Sequence, residues 1–512
     1  MELRVITQLA FRNLLYRPWR SAMLLFGYGL GVGVMIVLLA IGEALLTQAR
    51  DEKLVGGGAI TVLPEGLDVE VMKTGGVGGL YFSIDRARFV YRQLLAAPRL
   101  SGAISAVAPQ IEGKLLYLHA GGSEYAVRAG GEVPSRTRAV RSELVLTSGA
   151  WADDEGDRRW ISPAPRELYG EIDRFHETPK EVTRPESWAE WHYFNVLSSD
   201  RRRWAYISFI IGGDVPEGEW GGQVLISVRE EGRATRMFRA NVRSEDIRYS
   251  TTSPDLVIGA SSVALERDGR YVLRVRAREE GGSASLVADL VVTPAPRAYF
   301  PGATLAECEG EDGGCQFTSG YAVAALRADA SGTLCIAGDC EQFVDAQSYH
   351  DHNWGVWRGV TWEWGASRAG EFTFLYGRVK QTSGVEERAL GVENPLILYL
   401  VDSLGFRALF RPKQIVYAGM RRITVDGKIV DVPTRAELSD VRGGDTLRIT
   451  IAVEDAIATD TRRPLLDRGD QSAARALSTP YFIQMKGIAR LTGRVGGKVV
   501  SGSGTGFFET YR

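Results

Sequence analysis

Tyr349-His350-Asp351-His352-Asn353-Trp354-Gly355 places two of the chain's five histidines beside an indole in a strand-like, aromatic-rich stretch. Side chains alternate across a strand, so His350, His352 and Trp354 share one face while Asp351 and Asn353 share the other. The first face is suited to lining a pocket. Outward from this stretch, the chain is built of short β-like runs divided by turn residues, at 204–211, 222–229, 271–278, 286–293, 372–379, 395–401 and 446–453. Such spacing predicts sandwiches or barrels rather than parallel α/β units. About 350 residues of this pattern exceed one small barrel, so the expected fold class is mainly β, with two consecutive barrels. Strands pointing apolar groups inward would enclose an elongated lipophilic cavity.

The 512 residues suffice for two or three domains, each with its own core. A formal net charge of −2 supplies no basic stripe, which argues against nucleic acid as a partner. The N-terminus sets the compartment. Residues 22–46, AMLLFGYGLGVGVMIVLLAIGEALL, contain a single acid, Glu43, and are long enough to span a bilayer as a helix. A cleavable signal has a shorter apolar core and an A-x-A-like site, so this segment reads as a retained anchor. Arg4, Arg12, Arg17 and Arg20 precede it and hold the short N-terminus in the cytoplasm. The expected placement is single-pass in a bacterial inner membrane, with the bulk of the chain periplasmic or extracytoplasmic. Gly27 and Gly31, like Gly29 and Gly33, have the spacing that lets two membrane helices approach closely, although glycine is also common in such helices generally. Apolar residues at 3, 6, 9, 10 and 14, interleaved with arginines, predict an interfacial amphipathic helix over 1–21.

Residues 9–45, LAFRNLLYRPWRSAMLLFGYGLGVGVMIVLLAIGEAL, resemble the opening of permease subunits of the FtsX/MacB type. Those permeases begin with an interfacial helix, an arginine-flanked membrane helix and an extracytoplasmic domain, and then return to the membrane. This chain has no second apolar run. The resemblance implies ABC-transporter permease and ATPase subunits as partners. The chain has no Walker A loop, since Gly496-Gly497-Lys498 is followed by Val499, and a hairpin turn accounts better for those glycines. Residues 47–162 read as a small α+β segment with a linker. Strands are expected at 59–63 and 114–119, a helix at 85–97, and a closing Ser148-Gly149-Ala150-Trp151 similar to the MacB-type domain. Charge and proline mark 153–185 as the linker, with a domain boundary near Ser162.

A second resemblance covers about residues 165–512. Glu190-Trp191-His192-Tyr193-Phe194-Asn195, the 349–355 stretch, Trp362-Glu363-Trp364-Gly365 and the ending Gly502 to Glu509 are similar to the AttH/CrtC-like family. That family has a double lipocalin-like fold and includes carotenoid hydratases and relatives acting on isoprenoid or polyketide-derived molecules. The resemblance implies a first lipocalin-like barrel at 163–345 and a second at 346–512. Hydrating an alkene requires an acid, a surface that tolerates a carbocation and a positioned water, and an indole face suits the cation. The resemblance assigns this work to a histidine, a tryptophan, a tyrosine and an aspartate, matched here by His352, Trp354 and Tyr376. Arg378 stands where the aspartate belongs, and a guanidinium cannot donate the proton. Asp351 is turned away by strand alternation, which leaves Glu363 and Glu371 as substitutes. Arg378 suits the carboxylate or phosphate head group of a ligand. The expected ligand-binding set is His350, His352, Trp354, Trp362, Trp364, Tyr376 and Arg378.

Blander accounts stand beside these. Tryptophan and histidine in barrels often fill the core and bond to the backbone. A metal at His350 and His352 would need His192 or Glu363 as a third ligand, so no metal and no cofactor are expected. All four cysteines lie between Cys308 and Cys340, in the spaced pairs Cys308/Cys315 and Cys335/Cys340. Outside the cytoplasm they predict disulfides, with three pairings open, stapling a polar loop over 307–338. The leading function is membrane-tethered binding of a lipophilic ligand, lipid or isoprenoid, as an accessory of an ABC-type exporter. The alternatives are a hydratase, cyclase or isomerase acting on a hydrophobic alkene, and a structural subunit whose barrels are filled by side chains.

Overall fold

The computed structural model describes residues 18–50, 84–95, 102–140, 152–180, 185–309, 314–357, 360–381, 396–425, 427–460 and 481–512, with isolated positions between them. The helices are α1 (Pro18–Arg50), α2 (Ile84–Leu95), α3 (Pro134–Val140), α4 (Glu155–Ile161) and α5 (Pro165–Ile172). The chain divides into two compact units, residues 1–83 with 106–154, and residues 84–105 with 155–512.

In the first unit, Pro18–Ile41 of α1 is apolar on every side, long enough to cross a membrane, and has no buried residue. A helix that is hydrophobic all round has no polar face to offer water. The unit also contains a hairpin of β1 (Gln110–Ala120) and β2 (Ser123–Glu132), turned by Gly121 and Gly122, both at positive φ. The expected interfacial helix at 1–21, the strand at 59–63 and the 148–151 motif fall largely outside the described residues.

The second unit carries two antiparallel sheets. Strands of the first are β3 (Trp188–Leu197), β4 (Arg203–Gly213), β5 (Trp220–Glu230), β6 (Arg236–Arg243), β7 (Ile247–Tyr249), β8 (Leu256–Ile258), β9 (Ser261–Leu265), β10 (Tyr271–Glu279), β11 (Ser285–Pro294), β12 (Phe300–Glu309), β13 (Gly314–Ile336) and β14 (Asp339–Val356). Those of the second are β15 (Val360–Ala369), β16 (Phe372–Gln381), β17 (Ile397–Asp402), β18 (Gly405–Phe410), β19 (Val416–Val425), β20 (Lys428–Arg442), β21 (Asp445–Asp460), β22 (Tyr481–Val495) and β23 (Lys498–Tyr511).

In the first sheet, β3-β4-β5-β6-β10-β11-β13-β14 pair in that order and β14 returns to β3. Eight antiparallel strands closed in chain order form an up-and-down barrel of the lipocalin kind. The second sheet is also a meander, ordered β18-β17-β16-β15-β23-β22-β21-β20-β19. Close to its two ends, β18 and β20 are linked, with Arg442 donating to the Leu409 carbonyl and the Arg411 N–H donating to Asp440. The expected mainly β fold with two consecutive lipocalin-like barrels is therefore the observed one.

Two expectations are corrected. The division between barrels falls between 356 and 360 rather than at 345/346, because β14 completes the first ring. The stretch 307–338 is strand, not loop, at 307–309 and 314–336. Its polar composition conceals the 23-residue β13, which turns through Ala337 and Gly338, both at positive φ, into β14. Cys335 and Cys340 face each other across that turn and are disulfide-bonded. Cys308 and Cys315 are cross-strand partners on β12 and β13, with side chains outside the described residues.

The expected linker at 153–185 likewise contains α4 and α5. Pro165 opens α5 and the Glu167 carboxylate accepts the Ala164 N–H, so proline and charge here are start signals rather than breakers. Leu168, Tyr169 and Ile172 form its narrow buried face. Packing explains the strand sequences. In β10, Tyr271, Leu273 and Val275 point into the barrel while Arg274, Arg276 and Arg278 point away, as in a sheet wet on one side. β3 and β4 are buried on both faces, because their outer residues Tyr193, Trp204 and Tyr206 meet Trp364, Leu375 and Phe507 of the second sheet.

Candidate functional site

The histidine-rich strand behaves as strand alternation requires. β14 turns His350, His352 and Trp354 into the first barrel, and neighbouring β3 adds Phe194, His192 and Glu190 opposite them. The chain leaving α5 then brings Asp173, Phe175 and His176 to the same place. Four of the five histidines meet here. His350 stacks on Phe194 with centroids 3.9 Å apart, and His176 stacks on Trp354 at 4.3 Å.

Asp173 is the hub. Its Oδ2 accepts the Tyr271 hydroxyl at 2.6 Å and lies 2.9 Å from His350 Nε2. Its Oδ1 lies 3.0 Å from His352 Nδ1 and 3.4 Å from His192 Nδ1. Beyond it, His352 Nε2 is 2.8 Å from Glu190, which also accepts from the His176 backbone and is 2.8 Å from the His176 ring. Asp173, Glu190, His192, His350 and His352 are all fully buried, whereas His176 is partly exposed. Burial works to raise the Asp173 carboxyl, but the His350 and His192 imidazoles outweigh it and hold it well below the usual carboxylate range. Burial opposes charge on His352 as well, yet Asp173 and Glu190 push it up to about 9. His192 goes the other way, with burial lowering it to about 4.

A second cluster lies on the opposite face of β3 and β14, between the two sheets. Trp191, Trp357 and Trp362 pack with centroids 4.6 to 6.3 Å apart, and Trp362 also meets Phe482 at 5.2 Å and Tyr511 at 4.9 Å. The Trp362 indole N–H donates to Glu509 at 2.8 Å. Trp191, Trp357, Trp362, Phe482 and Glu509 are partly exposed, so the cluster reaches solvent. Burial, reinforced by the nearby Asp351 charge, pushes Glu509 up to about 7 against its hydrogen bonds from Trp362 and Gln484. Deeper in the layer, Trp364 donates to the Tyr349 hydroxyl at 2.8 Å, which donates to Asp351 at 2.7 Å. Burial pushes Asp351 up to about 6.

The expected site residues are therefore distributed over three places. His350, His352 and Trp354 share the first barrel, while Trp362 and Trp364 belong to the layer between the sheets. Tyr376 lies in the second barrel's core, stacked on Phe508, because β16 belongs to that sheet and alternation turns the ring inward. It does not join His352 and Trp354. Arg378 is ion-paired with Glu363 at 2.6 Å, and Lys380 reaches the same carboxylate at 3.1 Å, so its guanidinium is already matched. That pair also keeps Glu363 away from the histidines. Glu371 sits exposed at the β15–β16 turn.

Asp173, His176 and Glu509 were not singled out from the sequence. The 502–509 ending contains Glu509 but nothing in it marks a proton-holding carboxyl. Glu190 was readable, since it shares a strand face with His192. Asp173 was not, because 177 residues separate it from His350.

Fold and clusters together define a two-barrel, lipocalin-type β protein with an apolar N-terminal helix. No protein-family profile matches the chain, and no curated protein does. Among solved structures it is similar to an AttH protein from Nitrosomonas europaea, at 15% identity and TM-score 0.41, over 72% of this chain and 100% of that one. It is also similar to kievitone hydratase from Nectria haematococca, at 13% identity and TM-score 0.38, over 66% of this chain and 94% of that one. A third similarity is to CghA bound to Sch210972, at 14% identity and TM-score 0.39, over 63% of this chain and 88% of that one.

Proposed function

We propose that the chain is a membrane-anchored, extracytoplasmic protein that receives a lipophilic ligand, lipid or isoprenoid, at the aromatic cluster around Glu509. The observation that carries this reading is the partly exposed set Trp191, Trp357, Trp362 and Phe482 with a carboxyl at its base. Indoles offer large apolar area, and one polar group fixes a ligand's orientation. A bacterial inner membrane would hold α1, with the second unit outside. The exporter association rests on the N-terminal sequence, and the open flanks of Gly27, Gly29, Gly31 and Gly33 suit a partner helix.

A second reading, a hydratase, cyclase or isomerase acting on a hydrophobic alkene, is favoured by Glu509 itself. A carboxyl pushed up to about 7 is protonated in about half of the molecules at neutral pH, which suits a proton donor, and the neighbouring indoles suit a developing cation. In this reading the acid missing at Arg378 is supplied by Glu509.

Mass spectrometry of organic extracts from the purified chain tests both readings. A bound molecule that is lost in Trp362→Ala and kept in Tyr376→Phe is expected. Wild-type protein carrying nothing, or equal retention in both variants, would remove the ligand site. Turnover of an alkene that disappears in Glu509→Gln would select the second reading.

A further inference from the structure

The outer nitrogens of the buried histidines are tied down, and this determines what the inner ones can do. His192 Nε2 faces the Pro254 carbonyl at 3.1 Å and His350 Nδ1 faces the Tyr193 carbonyl at 3.0 Å. A carbonyl only accepts, so those nitrogens carry the ring protons, and in neutral imidazoles His192 Nδ1 and His350 Nε2 are bare lone pairs. Both point at Asp173. His352 lies beside them, its Nε2 2.8 Å from Glu190 and its Nδ1 3.0 Å from Asp173. Two lone pairs and a carboxylate thus converge on one fully buried point. His192 Nδ1 and Asp173 Oδ1 have no hydrogen-bond partner there among the described residues.

We propose that this point binds a divalent transition-metal cation, zinc or one of like preference, through Asp173, His192 and His350. Ligand atoms of Asp173, His192 and His350 all lie within 4.8 Å of one another. The contacts of His350 Nε2 to Asp173 Oδ2 at 2.9 Å and of His192 Nδ1 to Asp173 Oδ1 at 3.4 Å are close to the edge of about 3.3 Å that a tetrahedron with zinc-like bonds requires. Two imidazoles and a carboxylate are a donor set that zinc accepts. Each imidazole is anchored through its other nitrogen by a carbonyl or a carboxylate, and Tyr271 orients Asp173, which is the outer shell a metal centre needs.

Charge agrees. A divalent cation with neutral imidazoles cancels Asp173 and Glu190, whereas protons alone would have to create buried imidazolium ions. Three protein donors leave one position open to a small ligand, and the centre ties the segment after α5 to β3 and β14.

The test uses the full-length chain without a polyhistidine tag, stripped with chelator and reloaded with zinc or cobalt. Elemental analysis should find about one cation per chain, as a single site holds. Reloading should raise Tm, and X-ray absorption should count two imidazoles on the metal. Asp173→Asn and His192→Gln should lose the cation while His119→Gln, outside the cluster, keeps it. Wild-type protein that retains no cation and shows no Tm rise overturns the proposal. So does a bound metal with fewer than two imidazoles, a readout that holds even where the variants fail to fold.

Discussion

Glu509 and Gly320 show how single positions set the behaviour of the aromatic regions. The folded chain binds the Glu509 proton more tightly than the unfolded chain does, so the stability this group contributes is present at low pH. It is lost as pH rises from the ordinary glutamate range through about 7. Glu509→Gln should therefore flatten the fall in stability between those limits, measured by urea unfolding at stepped pH; an unchanged slope would show that the carboxyl is ordinary. Gly320 on β13 lies directly beneath the Trp354 indole, where a Cβ would overlap ring atoms. Gly320→Ala should cost about 1–3 kcal/mol by overpacking and shift Trp354 fluorescence. A variant as stable as wild type would mean that the indole has room to move. At this scale the sequence was partly legible. His350, His352 and Trp354 share a face because period-2 alternation is local geometry. Tyr376 and Arg378 did not follow, since alternation says which face a residue takes but not which of two barrels that face encloses.

Among the elements, the β13–β14 hairpin and α5 carry the clearest expectations. The Cys335–Cys340 bridge closes a very short loop, five residues apart in sequence, across a turn already paired by its strands. Loop-closure entropy for so small a ring is about 2 kcal/mol. Reduction, or Cys335→Ser with Cys340→Ser, should thus lower stability by about 2 kcal/mol or less in a denaturant titration; a collapse of the fold would assign the bridge a larger task. Strand positions such as 204–211 and 271–278 were legible because alternation or continuous apolar runs survive in them. β13 was not, since its cysteine-, glycine- and serine-containing sequence has neither pattern, and what holds it is pairing on both edges with β11, β12 and β14. α5 escaped because a short capped helix has only one buried stripe, set within a charged segment.

For the molecule as a whole, the two sheets share one interior layer. Tyr193, Trp204, Tyr206 and Tyr349 of the first pack on Trp364, Tyr399 and Phe507 of the second. Arg229 grips Asp455 with two hydrogen bonds of 2.7 and 2.9 Å, and Lys486 reaches across to the Arg201 carbonyl at 3.0 Å. The barrels should therefore unfold in a single transition, with near-ultraviolet and far-ultraviolet circular dichroism falling together. Two separated transitions would mean that the layer couples them weakly. Removing residues 1–50 should release the chain from membranes with its β signal unchanged, checked by flotation and circular dichroism.

The seam of the first barrel has a consequence in time. β3 opens the ring and β14 closes it, so Trp188 must find Val356 and His192 must find His352. A ribosome has to add some 160 further residues after β3 before its second edge can be satisfied. Until then β3 is an unpaired edge carrying Glu190 and His192 beside an unmatched Asp173, and such an edge templates association with other chains. The ring is a whole-chain event, and a product truncated before β14 is marked for aggregation or proteolysis by the same charged residues that the finished barrel conceals.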